Sequence, residues 1–296
     1  MSREPTTAAI SASAGAPAPA DEKTANNVKP AGTGGLKLTK GHAVTVGGSV
    51  AVLIVFLATW QWVPGWLGMP EFILPKFTTV MQESVHMWRT GNFLEHFGYT
   101  ALEVVLGFIL GALLGLFVGV ILGLSPTTES VLSPYILALQ IAPKVAFAPL
   151  FVMWLGYTIY PKILVALLIV FFPIMVNVLS AIRTVDPDMV NLVRTLNASR
   201  WQIFRLVEFP SALPSLFSGL RIGATLAVIG VTVGELVGGN KGLGFLLVDA
   251  EGQGNTAGVF VAIMGLTVIG IAAYAVVVWF ERRCLHYIPK VNVTTV

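Results

Sequence analysis

The chain has 296 residues, of which 55% are hydrophobic and 11% charged, and its formal net charge is +3. Mean hydropathy is +0.80. Soluble domains carry roughly 25% charged residues, so this chain lacks the polar surface to cover a soluble globule. Its apolar runs are longer than the alternating segments of roughly 10 residues that build membrane barrels. The expected fold is therefore an all-α membrane protein, because helices satisfy their own backbone in hydrocarbon. The small net charge gives no footprint for nucleic acid. Cys284 stands alone, which excludes an internal disulfide. His42, His86, His96 and His286 have no Cys, Asp or Glu at ligand spacing, so no metal or cofactor is expected.

Residues 1–42 are rich in Ala, Pro, Ser, Thr and Gly. They cannot bury enough apolar surface to offset chain entropy, and a disordered tail is expected, with no signal peptide. The first span is expected over 43–66, ending in Trp60, Trp62 and Trp66 as an interfacial aromatic belt. Residues 67–95 alternate polar and apolar. Thr79 with Gln82 predicts a capping box opening a short amphipathic helix on the surface.

The transport part is expected over 96–284, followed by a tail over 285–296. Its first span, 97–124, carries Gly107, Gly111, Gly115, Gly119 and Gly123 at every fourth position. Small residues at that spacing let helices approach closely in lipid. A four-residue period drifts around the helix, which predicts contacts with more than one neighbour. The next span, 131–155, is interrupted by Pro134, Pro143 and Pro149, and another follows over 161–182 with Pro173 inside. A fifth is expected over 211–235 and a sixth over 256–280. The Gly-rich stretch 238–254 lacks phosphate-loop spacing and predicts a re-entrant or flexible cap. Six spans leave both termini on one side.

Lys37, Lys40, Arg183, Arg194, Arg200, Arg205, Arg282, Arg283 and Lys290 fall on that side, against Lys76, Arg89, Lys162 and Lys241 opposite. By the positive-inside rule the termini and the 183–210 loop face the cytoplasm. Glu103, Lys144, Arg221 and Glu235 fall within or at the ends of spans, where ionisable groups mark a substrate pathway by default. At about 1.5 Å per residue Glu103 and Lys144 come out at nearly the same depth, which predicts that they pair or line one cavity. The alternative for each is a bond to backbone within the bundle.

The polar interruption 191–214 sits between the fourth and fifth spans. Asp186-Pro187 predicts a helix start, Asn197 a left-handed stop, and Ser199 the cap of a second helix over 200–207. The basic and apolar residues displayed there predict a docking knob, a helix lying on anionic lipid being the plainer alternative.

This stretch resembles the EAA loop of ABC-importer permeases. The family pattern is Glu-Ala-Ala, three residues, Gly, nine residues, then Ile-x-Leu-Pro. Asn191, Leu192, Val193, Asn197, Val207, Phe209 and Pro210 occupy the matching positions, with Asn191 in place of the acidic residue and Asn197 in place of the glycine. The stretches 141–156, 171–187, 196–238 and 242–247 are similar to the nitrate, sulfonate, taurine and bicarbonate permease group, which includes permeases for pyrimidine precursors and riboflavin. The resemblance implies a permease subunit in the cell inner membrane that imports a small nutrient. It also implies two separate ATPase subunits, an external substrate-binding protein and a second permease chain. The ATPase contact would be made by Asn191, Arg194, Leu196, Asn197, Ala198, Ser199, Arg200, Trp201, Phe204 and Pro210. A secondary transporter or channel using its intramembrane charges is the competing reading. That class is often built of repeated halves, and no segment here recurs. No nucleotide site or nucleophile with its base is present, so the chain is not expected to be an enzyme.

Overall fold

The structure is a computed structural model that describes residues 39–90 and 92–286. The tails expected over 1–42 and 285–296 therefore fall mostly outside the described residues. All regular structure among the described residues is helical, as expected from composition. Five helices are long and apolar enough to cross a membrane, and a bent pair makes up to six. The chain divides into two units, Met1–Val55 and Phe56–Val296. The described part of the first belongs to helix α1 (Thr39–Trp66), and its residues 47–55 are exposed.

The second unit holds the rest. Helix α2 (Phe77–Arg89) precedes α3 (Asn92–Leu124). The capping box expected at Thr79 and Gln82 is not formed, because α2 begins three residues earlier, with Lys76 at the cap position, and its first turn is bonded from elsewhere. Gln61 accepts from the Thr78 backbone at 3.0 Å and donates to the Thr78 hydroxyl at 3.2 Å. Trp60 adds a bond to the Pro75 carbonyl at 3.1 Å and packs against Phe77 and Phe260.

The expected span 131–155 is broken. Helix α4 (Pro126–Ile141) is capped by Ser125, and Pro126 lies in its first turn. It stops at Ala142-Pro143, since the residue before a proline is pushed to extended backbone. Ala142 sits at φ −54°, ψ 135°. A single 3-10 turn, Lys144–Phe147, then leads into α5 (Ala148–Leu155), and the two halves are bent by 77°.

Helix α6 (Tyr160–Arg183) is the centre of the bundle, flanked by α3 and α9 (Phe209–Gly238). Glycines on both flanks set the spacing. A Cβ at Gly107 would lie 2.6 Å from the Ala166 Cβ, and one at Gly230 would lie 2.7 Å from the Ala166 Cα. The α3 glycines continue along α6, meeting Val170, Ile174, Val178 and Ile182 in turn. The row thus serves one neighbour, contrary to the expectation of several. A row of every-fourth residues is inclined to the helix axis, and a partner crossing at the matching angle follows it without leaving it.

Helix α7 (Pro187–Thr195) and α8 (Arg200–Ile203) form the helix-turn-helix. The fifth span was expected to begin near residue 211, apart from this element. Instead α8 runs through a π turn, Phe204–Glu208, straight into α9, giving 39 continuous residues, Arg200–Gly238. The Phe209 N–H donates to the Phe204 carbonyl. This wider turn absorbs Pro210, whose missing N–H and bulky ring would otherwise break an α-helix. Helix α10 (Leu243–Gly252) and α11 (Thr256–Cys284) complete the unit.

Candidate functional site

Two places in the bundle carry unusual chemistry, one at each end. The loop end holds α7 and α8. Asp186 accepts from the Asp188 N–H at 2.9 Å, and Pro187 follows it. Asn197 turns the chain at φ 58°, the sole described non-glycine at positive φ. Ser199 and Gln202 form a reciprocal capping box, with bonds of 2.7 and 3.3 Å. Ile203 and Val207 are buried and root the element in the bundle. Met189, Leu192, Leu196 and Trp201 are exposed, with Trp201 at 66%. Asn191, Arg194, Ser199 and Arg200 are exposed beside them, while Ala198, Phe204 and Pro210 are half-buried.

A cleft of about 540 Å³ lies beneath, lined by Arg183, Arg194, Arg200 and Glu208 among others. Arg183 fastens its floor, forming an ion pair with Glu129 and donating to the Leu122 carbonyl at 3.2 Å. Through these bonds the ends of α3, α4 and α6 are tied together where the helix-turn-helix stands.

The far end holds a buried polar cluster. Lys162 is 1% exposed, Glu103 0% and Glu235 1%. Lys162 Nζ donates to Glu103 Oε1 at 2.8 Å and to the Lys241 carbonyl at 3.1 Å. Glu235 accepts from the Thr100 hydroxyl at 2.7 Å and from the Gly244 N–H at 2.6 Å. Thr100 in turn accepts from the Leu243 N–H at 2.7 Å. The Gly242 N–H reaches His96 Nδ1 at 3.0 Å. Lys241 lies outside, bonded to Glu95 at 2.7 Å and over the ring of Tyr99. Its hydrogen bonds to Glu95 and Tyr99 push the ammonium above the ordinary lysine range. Loop 239–242 is thus fastened at Lys241 and Gly242, which goes against the flexible one of the two alternatives expected for the Gly-rich stretch. The Gly-rich sequence serves close packing instead: a Cβ at Gly242 or Gly244 would run into the Glu235 carboxyl.

A family model for the inner-membrane component of binding-protein-dependent transport systems matches residues 107–286. The chain belongs to this family. The riboflavin transport system permease protein of Chloroflexus aurantiacus is 39% identical over 240 residues, covering 81% of this chain and 90% of that protein. The formylaminopyrimidine transport permease protein of Halalkalibacterium halodurans is 31% identical over 237 residues, covering 80% and 94%. A putative aliphatic sulfonates transport permease protein of Bacillus subtilis is 33% identical over 233 residues, covering 79% and 84%. The chain is a permease subunit of an ABC-type importer, a multi-pass membrane protein that works with an ATPase and a substrate-binding protein.

The permease distributes its intramembrane charges differently from the expected pathway. Glu103 pairs with Lys162, not with Lys144. The break at Ala142-Pro143 invalidates a depth counted along a straight helix. Lys144 instead donates to the Gln140 carbonyl at 2.6 Å and covers the Phe172 ring. Arg221 pairs with Glu281 at 3.5 Å. Glu235, expected at the interface, is enclosed by the loop that folds back over it. The charge count places Lys162 among the outer-side lysines and not among the intramembrane groups, yet it is buried in the bundle. The one signal for it was that Glu103 needed a basic partner.

Asn197 accounts for the missing glycine of the loop pattern. Asn visits the left-handed region more readily than other non-glycine residues. Asn197→Gly should leave the permease as stable as it is. Asn197→Val should lower its stability by about 1–2 kcal/mol, since a β-branched residue is strained there. Thermal melting of the purified permease checks both.

Proposed function

We propose that this permease imports a small organic nutrient, of the vitamin-precursor or sulfonate kind, and that residues 191–210 take the thrust of the ATPase on the cytoplasmic side. The observation that carries the reading is the continuity of α8 with α9. An exposed, doubly capped element is welded to a helix that reaches the far end of the bundle. Force applied at Trp201 passes through the π turn and along α9 to Glu235.

Orientation rests on the loop end, where Arg183, Arg194, Arg200 and Arg205 cluster. Lys162 is buried and no longer counts on the other side. Both termini then face the cytoplasm. A second permease chain completes the path. Helix α4 has no buried residue, and Tyr135, Leu137, Leu139 and Ile141 stand exposed on it. With α5 it offers an apolar wall around the bend where Lys144 sits, and we assign Lys144 to the substrate path. Glu103, Arg221 and Glu235 border that path as paired supports. The chemistry of the riboflavin and formylaminopyrimidine permeases among the relatives favours a flat, uncharged or weakly charged solute. The sulfonate relative leaves anions in play.

The test is Trp201→Ser combined with Leu196→Ser in the transporter reconstituted with its ATPase and binding protein. Truncating central apolar anchors of an interface costs about 2–4 kcal/mol, so binding-protein-stimulated ATP hydrolysis and uptake should fall by at least about tenfold. The melting temperature of the permease should hold, because both side chains are exposed. Unchanged hydrolysis would sink the assignment of the loop.

A further inference from the structure

The far-end cluster does not balance as it stands. Two carboxyl groups, Glu103 and Glu235, stand in one cluster with a single ammonium, Lys162, which bonds Glu103, and all three are buried. With both acids ionised the cluster would hold one uncompensated negative charge, which is strongly disfavoured in a low-dielectric interior. Geometry points to the remedy. Glu103 Oε2 is the buried side-chain oxygen among the described residues with no hydrogen-bond partner. Thr100, one turn before Glu103 on α3, donates to Glu235 at 2.7 Å, so the two acids stand in one pocket. Two carboxylate oxygens cannot bond to each other, since both only accept. One proton between them turns the orphan into a donor and cancels the excess charge.

We propose that Glu103 and Glu235 bind a single proton between them, and that the cluster neutralised in this way is the latch that closes loop 239–242 over the far end of the bundle. One contact of the loop and two at the start of α10 pass through it. Lys162 holds the Lys241 carbonyl, Glu235 holds the Gly244 N–H, and Thr100 links Glu235 to the Leu243 N–H. The other charged and titratable groups nearby have partners of their own. On α3, Glu95 pairs with Lys241 from the loop. His96 accepts at Nδ1 from Gly242, which requires an unprotonated Nδ1. On α10, Asp249 accepts from Gln253 at 2.8 Å. Helix α5, packed against α6 and α9, carries no charge. A cleft of about 330 Å³, lined by Tyr99, Tyr157, Asn240 and Lys241, runs to Lys162. Water in it can deliver and accept the proton, so no other reactant is needed.

Infrared spectroscopy of the full transporter, permease with ATPase, tests the site directly. At neutral pH the wild-type permease should show a protonated-carboxyl band that is lost in the Glu103→Gln difference spectrum. Glu103→Gln is the neutral isostere of the protonated acid: its carbonyl can accept from Lys162 and its amide can donate to Glu235. Hydrogen exchange at residues 239–244 in this variant should stay within about twofold of the wild type. Absence of the band in wild-type protein overturns the proposal, and that measurement needs no variant to fold. A rise in exchange beyond twofold in Glu103→Gln also overturns it, because the cluster then requires the charge of Glu103 rather than its proton.

Discussion

Replacing Lys162 by methionine should cost the permease about 3–5 kcal/mol, the usual penalty for removing one partner of a buried ion pair. The side chain is enclosed on all sides, and its ammonium serves two elements at once, Glu103 on α3 and the Lys241 carbonyl of the loop. Methionine fills much of the same volume, so the loss is electrostatic rather than a cavity. For a chain of this size the melting midpoint should fall on the order of 10 °C. Amides of residues 239–244 should exchange faster before the bundle melts, because the loop loses its anchor first. The double variant Lys162→Met with Glu103→Leu should recover a large part of the stability, since the abandoned carboxyl leaves with its partner. Melting and hydrogen exchange on the two variants check this together. If the double variant is no better than the single, the pair is not what holds the loop.

The second large effect concerns a single methyl group. Gly230→Ala would place a Cβ 2.7 Å from the Ala166 Cα and 3.1 Å from its backbone nitrogen. Backbone cannot yield as a flexible side chain can, so α9 and α6 must move apart. Overpacking of this kind costs about 1–3 kcal/mol, and here the shift travels one turn along to Gly234, which seats the stem of Lys162. The loss should therefore sit toward the upper end of that range and bring faster exchange of the 239–244 loop with it. Gly98→Ala on α3 is the control. No atom lies within 4 Å of its added Cβ, so removing a helical glycine should be neutral or stabilising by up to about 1 kcal/mol. Thermal melting of the two variants separates a packing role from a general cost of losing glycine.

The caps of the helix-turn-helix were legible because they are local. Asp186, Pro187, Asn197 and Ser199 act on amides within a few residues of themselves, so their spacing was enough. The start of α2 was not legible for the complementary reason. Its first turn is satisfied by Gln61, which lies 17 residues upstream of Thr78. The glycine row was legible as a close-packing surface, but its partner was not. Which helix fills a groove depends on crossing angle, and a single helix has none. The broken third span was announced by its prolines, yet the place of the break was decided by the extended backbone before Pro143.

The family places the permease function that the loop pattern implied, and composition had already made the chain a helical membrane protein. Those conclusions need only counts, periods and neighbours along the chain, because hydrocarbon punishes any unsatisfied backbone wherever it occurs. The pairing of Glu103 with Lys162, the burial of Glu235 and the fastening of loop 239–242 needed the tertiary structure. Glu103 and Lys162 are 59 residues apart, and Glu235 and Thr100 are 135 apart. A charge in the bundle must find a partner, and the sequence states that demand. Only the packing of α3, α6 and α9 through their glycines determines which groups come within reach of one another.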